Sequence, residues 1–376
     1  MINKPFLFGT SVDEPHFTDR VTETRRLKLN FEHGVNTIII SPRRMGKTSL
    51  VKHVQRQISD PRIIVVFMDI YDCRNETDFY NRFASSVIRS TAGRLDRAME
   101  YVKEFLIRLT PKVSFSPEAN SEFSLSLGIT PTNVTPEEVL NLPERIALSK
   151  DIHVVVCIDE FQQIGEFSDS VTIQKRMRGV WQHQHNVSYC LFGSKRHLMT
   201  RLFQSLSMPF YHFGEMMFLQ PIPVEDWVDY ITTRFQSEGK SISPQLASRI
   251  CATVGNQSSY VQQLSWNVLV NTESDATEQI LEFATDELIL QCSALYAQQI
   301  EGLSAYQMNL LRAIRDGHHH SFSSREIMAE YDFGTKSNVN RILNTLIEKE
   351  IIDTNDGQTD FSDAVFRLWF QKNISQ

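Results

Sequence analysis

Val35-Asn36-Thr37-Ile38-Ile39-Ile40-Ser41-Pro42-Arg43-Arg44-Met45-Gly46-Lys47-Thr48-Ser49-Leu50-Val51 is the stretch from which the fold of this 376-residue chain can be read. Residues 35–40 are β-branched and lie between Gly34 and Pro42, which predicts a short buried strand. Leu50, Val51 and Val54 recur at helical spacing, which predicts a helix over 46–58. The loop between them fits Gly-x-x-x-x-Gly-Lys-Ser/Thr, with Ser41 at the position of the first glycine. A strand entering and a helix leaving is the setting this phosphate-cradling motif requires. Gly46 would let backbone amides approach phosphate oxygens, Lys47 would reach the β- and γ-phosphates, and the Thr48 hydroxyl suits Mg²⁺. The residues expected around a bound nucleotide are therefore Ser41, Pro42, Arg43, Arg44, Met45, Gly46, Lys47, Thr48 and Ser49.

Working outward, an apolar strand is expected at 63–70, followed by a helix with Phe79, Phe83, Val87 and Ile88 on one face. Further strands are expected at 152–158, 187–192 and 215–219, with helices at about 136–149 and at 172–184. This alternation predicts an α/β fold: a P-loop NTPase parallel sheet with helices on both faces. Residues 111–129 break the rhythm, because Val113, Phe115, Phe123, Leu125 and Leu127 alternate with polar residues around a turn. That is a period-2 hairpin, expected as an insertion beside the sheet. After Pro221 and Pro223 the pattern is helical to about residue 300. From Ser304, three helical segments precede two short strand-like pieces around Asn355-Asp356-Gly357, the order of a winged helix-turn-helix. The expected domains are 1–221 (P-loop domain with the hairpin insertion), 222–300 (an all-α lid) and 301–376 (the winged helix).

Residues 154–158 are apolar and end in Asp159-Glu160, the pattern of a Walker B strand. Asp159 would hold Mg²⁺ with Thr48, and Glu160 would polarise an attacking water. The second carboxylate points to hydrolysis, since binding alone does not need it. Strand 187–192 runs into Gly193-Ser194, which puts Ser194 where a γ-phosphate sensor is expected. The expected catalytic set is Glu160, Lys47 and Ser194, and the cofactors are ATP and Mg²⁺. Arg176, Arg178, Lys195, Arg196 and Arg201 are the candidates for an arginine finger.

At this level of detail the chain resembles the archaeal-type ATPase family, a STAND-class, AAA+-related group of P-loop ATPases. The resemblance rests on Phe17-Thr18-Asp19-Arg20-Val21-Thr22-Glu23, on residues 41–50, on Ile158-Asp159-Glu160-Phe161-Gln162, and on Val365-Phe366-Arg367-Leu368-Trp369. It implies that Asp19 and Arg20 lie near the adenine or ribose. It also implies slow ATPase turnover coupled to a nucleotide-driven conformational switch. Several departures are visible. Val21 replaces a usual glutamate, and Asp363-Ala364 stands where Asp-Pro usually precedes the C-terminal motif. Gly255-Asn256-Gln257-Ser258 stands where the family's lid carries Gly-x-x-Pro, and residues 255–270 hold no arginine.

Composition sets the outer limits. With 41% hydrophobic and 22% charged residues, the chain is neither disordered nor fibrous. Its longest apolar runs fall far short of the about 18 residues a membrane span needs. Scattered cysteines without a Cys-x-x-Cys pair, and no signal-peptide pattern in residues 1–15, lead to the expectation of a cytoplasmic protein. His318-His319-His320 and His183-x-His185 lack accompanying ligands and read as solvated loop and helix end. The net charge of −7 is uneven: residues 1–110 carry 18 basic and 13 acidic side chains, the remainder 20 and 32. A polyanionic ligand is expected toward the N-terminal part. A winged helix suggests DNA, through Lys336, Asn338, Asn340, Arg341 and Asn344 on its second helix. Residues 301–376, however, hold 8 basic and 11 acidic side chains, which disfavours a phosphate-backbone surface. Two other readings stay open beside the ATPase: an ATP-regulated DNA-binding protein, and a scaffold with structural nucleotide. A protein partner or a second copy of the chain belongs with either.

Overall fold

The computed structural model describes residues 4–12, 16–91, 110–111, 127–128, 134–355 and 357–374. The chain divides into two compact units. One comprises Arg20–Ser41 and Lys47–Leu219, the other Met1–Asp19, Pro42–Gly46 and Gln220–Gln376.

The first unit holds β1 (Thr37–Ile40), β2 (Ile63–Asp69), the short pair β3 (Thr110–Pro111) and β4 (Leu127–Gly128), β5 (His153–Asp159), β6 (Val187–Gly193) and β7 (Glu215–Phe218). Five of these make one parallel sheet in the order β2-β5-β6-β1-β7. Every residue of β1 and β6 is buried, as is β5 after His153. That is what continuous Ile/Val runs achieve only when helices cover both faces of a sheet. The expected α/β class is thus borne out, with helices Val21–Glu32, Lys47–Gln57, Glu76–Thr91, Leu142–Lys150, Ser170–Trp181 and Arg196–Gln204 in this unit. Of the predicted hairpin, Thr110–Pro111 and Leu127–Gly128 pair antiparallel. Its alternating residues Val113, Phe115, Phe123 and Leu125 lie outside the described residues.

Register brings the strand ends together. Ile40 lies opposite both Gly193 and Phe218, and Asp69 lies opposite Asp159. The loop after β1, the acidic pair ending β5 and Ser194 after β6 therefore leave the same edge, the carboxyl ends where parallel sheets present ligand sites. Behind this edge Trp181 stacks on Tyr189 at 3.9 Å, with Phe83, Phe210 and Phe213 around it. The Tyr189 hydroxyl donates to Gln184 at 2.6 Å, so the buried phenol is satisfied.

The second unit is helical from Val224–Ser237 through Pro244–Thr253, Ser258–Asn271 and the long helix Glu278–Glu301. Helices Ala305–Arg315, Arg325–Glu330 and Lys336–Glu348 follow, then the antiparallel pair β8 (Ile352–Asn355) and β9 (Gln358–Phe361). This is the expected winged helix. Ser304 opens it with a capping box to Gln307. Trp227, Phe235, Leu310, Phe333 and Phe366 are at most 1% exposed in the core of this unit.

Two helices go beyond the periodicity reading. Val21–Glu32 buries only Leu27 and Phe31 among its large apolar side chains and leaves Val21 exposed, so its pattern is thin. Ala364–Asn373 closes the chain, with the Asp363 carboxylate accepting from the amides of Val365 and Phe366.

Trp181 fills the centre of the first unit, so Trp181→Ala should lower its stability by about 3–5 kcal/mol. The measurement is the urea midpoint followed by far-UV circular dichroism. A shift no larger than that of an exposed control, Leu206→Ala, would contradict the packing described here.

Candidate phosphate-binding site

Lys47 opens the helix after the loop and is 7% exposed. Its ammonium donates to the Ser41 carbonyl at 3.0 Å and to the Ser41 hydroxyl at 3.1 Å. Ser41, standing where glycine is usual, thus supplies two acceptors to the lysine. Gly46 has φ +84°, and a Cβ there would meet nothing within 4 Å. Its requirement for glycine is torsional, not steric.

The Thr48 hydroxyl donates to Asp159 Oδ2 at 2.6 Å, joining the first turn of the loop helix to the end of β5. Asp159 Oδ1 accepts the Glu160 amide at 2.9 Å. Burial pushes the Asp159 carboxyl up to about 6, against the lowering effect of the Thr48 bond. A hydroxyl and a buried carboxylate in contact are the hard oxygen donors that Mg²⁺ takes, the rest of its shell coming from phosphate and water. A cation there would also relieve the cost of burying the Asp159 charge, so the residues present fit the ion. Among the described residues no group of three or more His, Cys, Asp or Glu is placed to hold a metal ion, here or elsewhere.

Glu160 leaves the strand in the left-handed region, at φ 55° and ψ 37°, before the 3₁₀ turn Phe161–Glu166. Ser194 Oγ donates to Glu160 Oε2 at 2.9 Å. The expected base and the expected sensor therefore touch. Gln162 donates its side-chain amide to the same oxygen. In the sequence Gln162 is visible only as the end of the motif Ile158-Asp159-Glu160-Phe161-Gln162. Spacing gave no hint that a residue two positions after Glu160 turns back on it.

Loop residues Pro42–Gly46 belong to the helical unit, and there the two expected phosphate arginines have carboxylate partners. Arg43 pairs with Glu350 at 2.7 Å. Arg44, at φ 65°, pairs with Asp363 at 2.5 Å and lies 4.6 Å over the Tyr260 ring. Asp363 also accepts from the hydroxyls of Tyr260 at 2.7 Å and Tyr296 at 3.2 Å. Burial first, then the Asp363 charge, raises both tyrosines above their ordinary range, which keeps them protonated as donors. Of this group only Arg43 and Arg44 are expected site residues; Asp363 is visible in the sequence only as the aspartate before the C-terminal motif, and Tyr260, Tyr296 and Glu350 carry no motif that singles them out.

The remaining candidates sort by their contacts. Asp19 and Arg20 both have positive φ, and the 3% exposed Arg20 is held by Glu23 at 2.8 Å. Arg176 pairs with Glu76 and Glu137, Lys195 with Glu166, and Arg178 lies 5.0 Å over Phe213. In the segment between helices Pro244–Thr253 and Ser258–Asn271, Gly255 and Asn256 both have positive φ, and Gln257 bonds the backbone at Ser362 and Ala364. On helix Lys336–Glu348, Lys336, Asn340, Arg341 and Asn344 are exposed. Asn338 instead donates to the Phe333 carbonyl at 2.8 Å and accepts from Arg341 at 2.9 Å. His319 bonds the Thr359 carbonyl at 3.0 Å.

With this geometry in hand, comparison with known proteins places the fold. A family model described as a probable winged helix domain matches residues 294–372. No curated protein matches the sequence. Among solved structures, a Walker-type ATPase of Pyrococcus abyssi is similar, with TM-score 0.67, 16% identity, 98% of this chain and all of that one covered. The Aeropyrum pernix ORC2 protein, solved in ADPNP–ADP complexes, gives TM-score 0.60 and 14% identity over 96% and 94% of the two chains. The Aeropyrum pernix ORC1 protein, solved with DNA, gives 0.50 and 13% over 96% and 94%. The chain thus shares the fold of these ATPase and ORC structures and carries a winged helix at its C-terminal end, as its sequence implied. No described helix is long and apolar enough to cross a membrane.

Asp363 serves as helix cap, as ion-pair partner and as acceptor for two tyrosines. Asp363→Ala should therefore cost about 2–4 kcal/mol, more than a cap alone. Asp363→Asn keeps the capping oxygen and should cost distinctly less. Equal losses for the two variants in urea denaturation would contradict the shared role.

Proposed function

We propose that the protein is a Mg²⁺-dependent ATPase whose nucleotide is held by residues 41–49. The observation that carries this reading is the group formed by Lys47, Ser41, Thr48, Asp159, Glu160 and Ser194 at one edge of the parallel sheet. Gly46 and the amides opening the helix Lys47–Gln57 would receive the phosphates. Lys47 would exchange its two Ser41 bonds for phosphate oxygens, and Thr48 and Asp159 would hold the Mg²⁺. When bound, that ion neutralises charge on the β- and γ-phosphates. Glu160 would take the proton from an in-line water, and Ser194 would report the γ-phosphate. Asp19 and Arg20 would lie toward the base and ribose. The proposed domains are 1–221, 222–300 and 301–376.

The finer reading is a STAND-like switch in the cytoplasm, slow in turnover. Its support is the pairing of the loop arginines Arg43 and Arg44 with Glu350 and Asp363 of the winged helix. Phosphate near the loop would compete for these guanidinium groups, so the nucleotide state would be felt by the C-terminal module. A protein partner or a second copy of the chain would receive that signal. DNA is the second reading, favoured by the exposed set Lys336, Asn340, Arg341 and Asn344 and opposed by the acidic balance of the module.

Lys47→Ala should weaken ATP binding by about 10–100-fold, as loss of a charge-assisted contact does. Glu160→Gln should keep ATP affinity and lower kcat by about 100-fold or more. Calorimetric titration and phosphate release are the two measurements. Unchanged affinity in Lys47→Ala would overturn the site, and unchanged turnover in Glu160→Gln would overturn the base.

A further inference from the structure

We infer that Gln162 is a positioning residue that orients the Glu160 carboxylate, and that Gly193 is glycine to make room for its amide. The inference rests on the ATPase reading above and adds a residue to its machinery.

A glutamate whose backbone has just left a strand has three free side-chain torsions, and a base acts only when its oxygen is aimed. Here Oε2 of Glu160 accepts from two donors, the Gln162 amide and the Ser194 hydroxyl. They come from different segments, one after β5 and one after β6. Among the described residues no hydrogen bond reaches Oε1. The arrangement anchors one oxygen and leaves the other as an acceptor, which is how a base is held by an orienting group. The left-handed φ of Glu160 and the 3₁₀ turn behind it bring the Gln162 side chain back toward the strand end.

Gln162 is 2% exposed, and its Oε1 is buried without a hydrogen-bond partner. A buried amide half-satisfied in this way needs a reason. Its other end supplies one. With the amide nitrogen on Glu160, Oε1 occupies the space beside Gly193 that a side chain there would fill. A Cβ on Gly193 would fall 1.8 Å from Gln162 Oε1, 3.0 Å from its Cδ and 3.2 Å from Met199 Sδ. Gly193 has no positive φ to explain its glycine, since it continues β6 opposite Ile40. Space for the amide is what requires it. The clashing atom ends a flexible side chain, so a methyl group there would push Gln162 off Glu160 and leave the strand in place.

The test is a double-mutant cycle on the full-length protein, reading kcat for phosphate release and Kd for ATP. Gln162→Ala should lower kcat by about 10–100-fold, the scale of a lost orientation, with Kd unchanged within about twofold. Gly193→Ala should reproduce the loss while keeping every polar group. The double variant should be no slower than Gln162→Ala alone, because both changes remove one contact. Retained ATP affinity shows that each variant is folded. The inference is overturned if Gln162→Ala turns over at or above the wild-type rate, or if Gly193→Ala adds its full effect on top of Gln162→Ala. An inactive Glu160→Gln beside an unimpaired Gln162→Ala removes this inference alone. An active Glu160→Gln removes the base and this inference with it.

Discussion

Asp159 is a carboxylate drawn out of water at the end of a strand buried along nearly its whole length, and the bond it accepts from Thr48 makes that burial tolerable. The pair links the helix after the first strand to the end of β5, two strands away across the sheet. Lys47, on the same first turn, points back to Ser41. Glu160 and Ser194 meet beside Asp159 because β5 and β6 are neighbours in register. Remove that parallel register and the six groups of the proposed site would not share an edge. The apolar strands thus act as a frame that holds a few polar groups at high local charge, each with an identifiable partner.

The second unit treats charge differently. Arg44, Asp363, Tyr260 and Tyr296 make one hydrogen-bonded and cation–π cluster, and Asp363 caps the closing helix at the same time. A network whose members satisfy one another is rigid, and it answers as a whole when one member is drawn off. Arg44 is the member of this cluster that, in the switch proposed above, a phosphate would draw off, while Arg43 would leave Glu350.

Much of the α/β framework could be read directly, because parallel strands buried on both faces must be continuous apolar runs. Strands 152–158 and 187–192 are legible for that reason, while strand 63–70, half-buried at the edge of the sheet, is legible from its apolar run alone; each lies within a residue or two of its expected bounds. The winged helix was readable from Ser304, Gly317 and the order of its periodic segments. Helix Val21–Glu32 was not, since a helix that buries two large apolar residues has almost no period. In the site, the loop and the acidic pair were readable because their spacing is dictated by phosphate chemistry. Gln162, Asp363 and the two tyrosines were not. Their partners are set by a reversed turn in one case and by contacts over more than 60 residues in the others, which no local pattern records.

The most direct measurement is ATP affinity with and without Mg²⁺, for the wild-type protein and for Asp159→Asn. If Thr48 and Asp159 hold the ion, Mg²⁺ tightens binding in the wild type and most of this gain disappears when the Asp159 charge is removed. Equal affinity with and without the ion in the wild type, or an undiminished Mg²⁺ effect in Asp159→Asn, would contradict that placement of the ion.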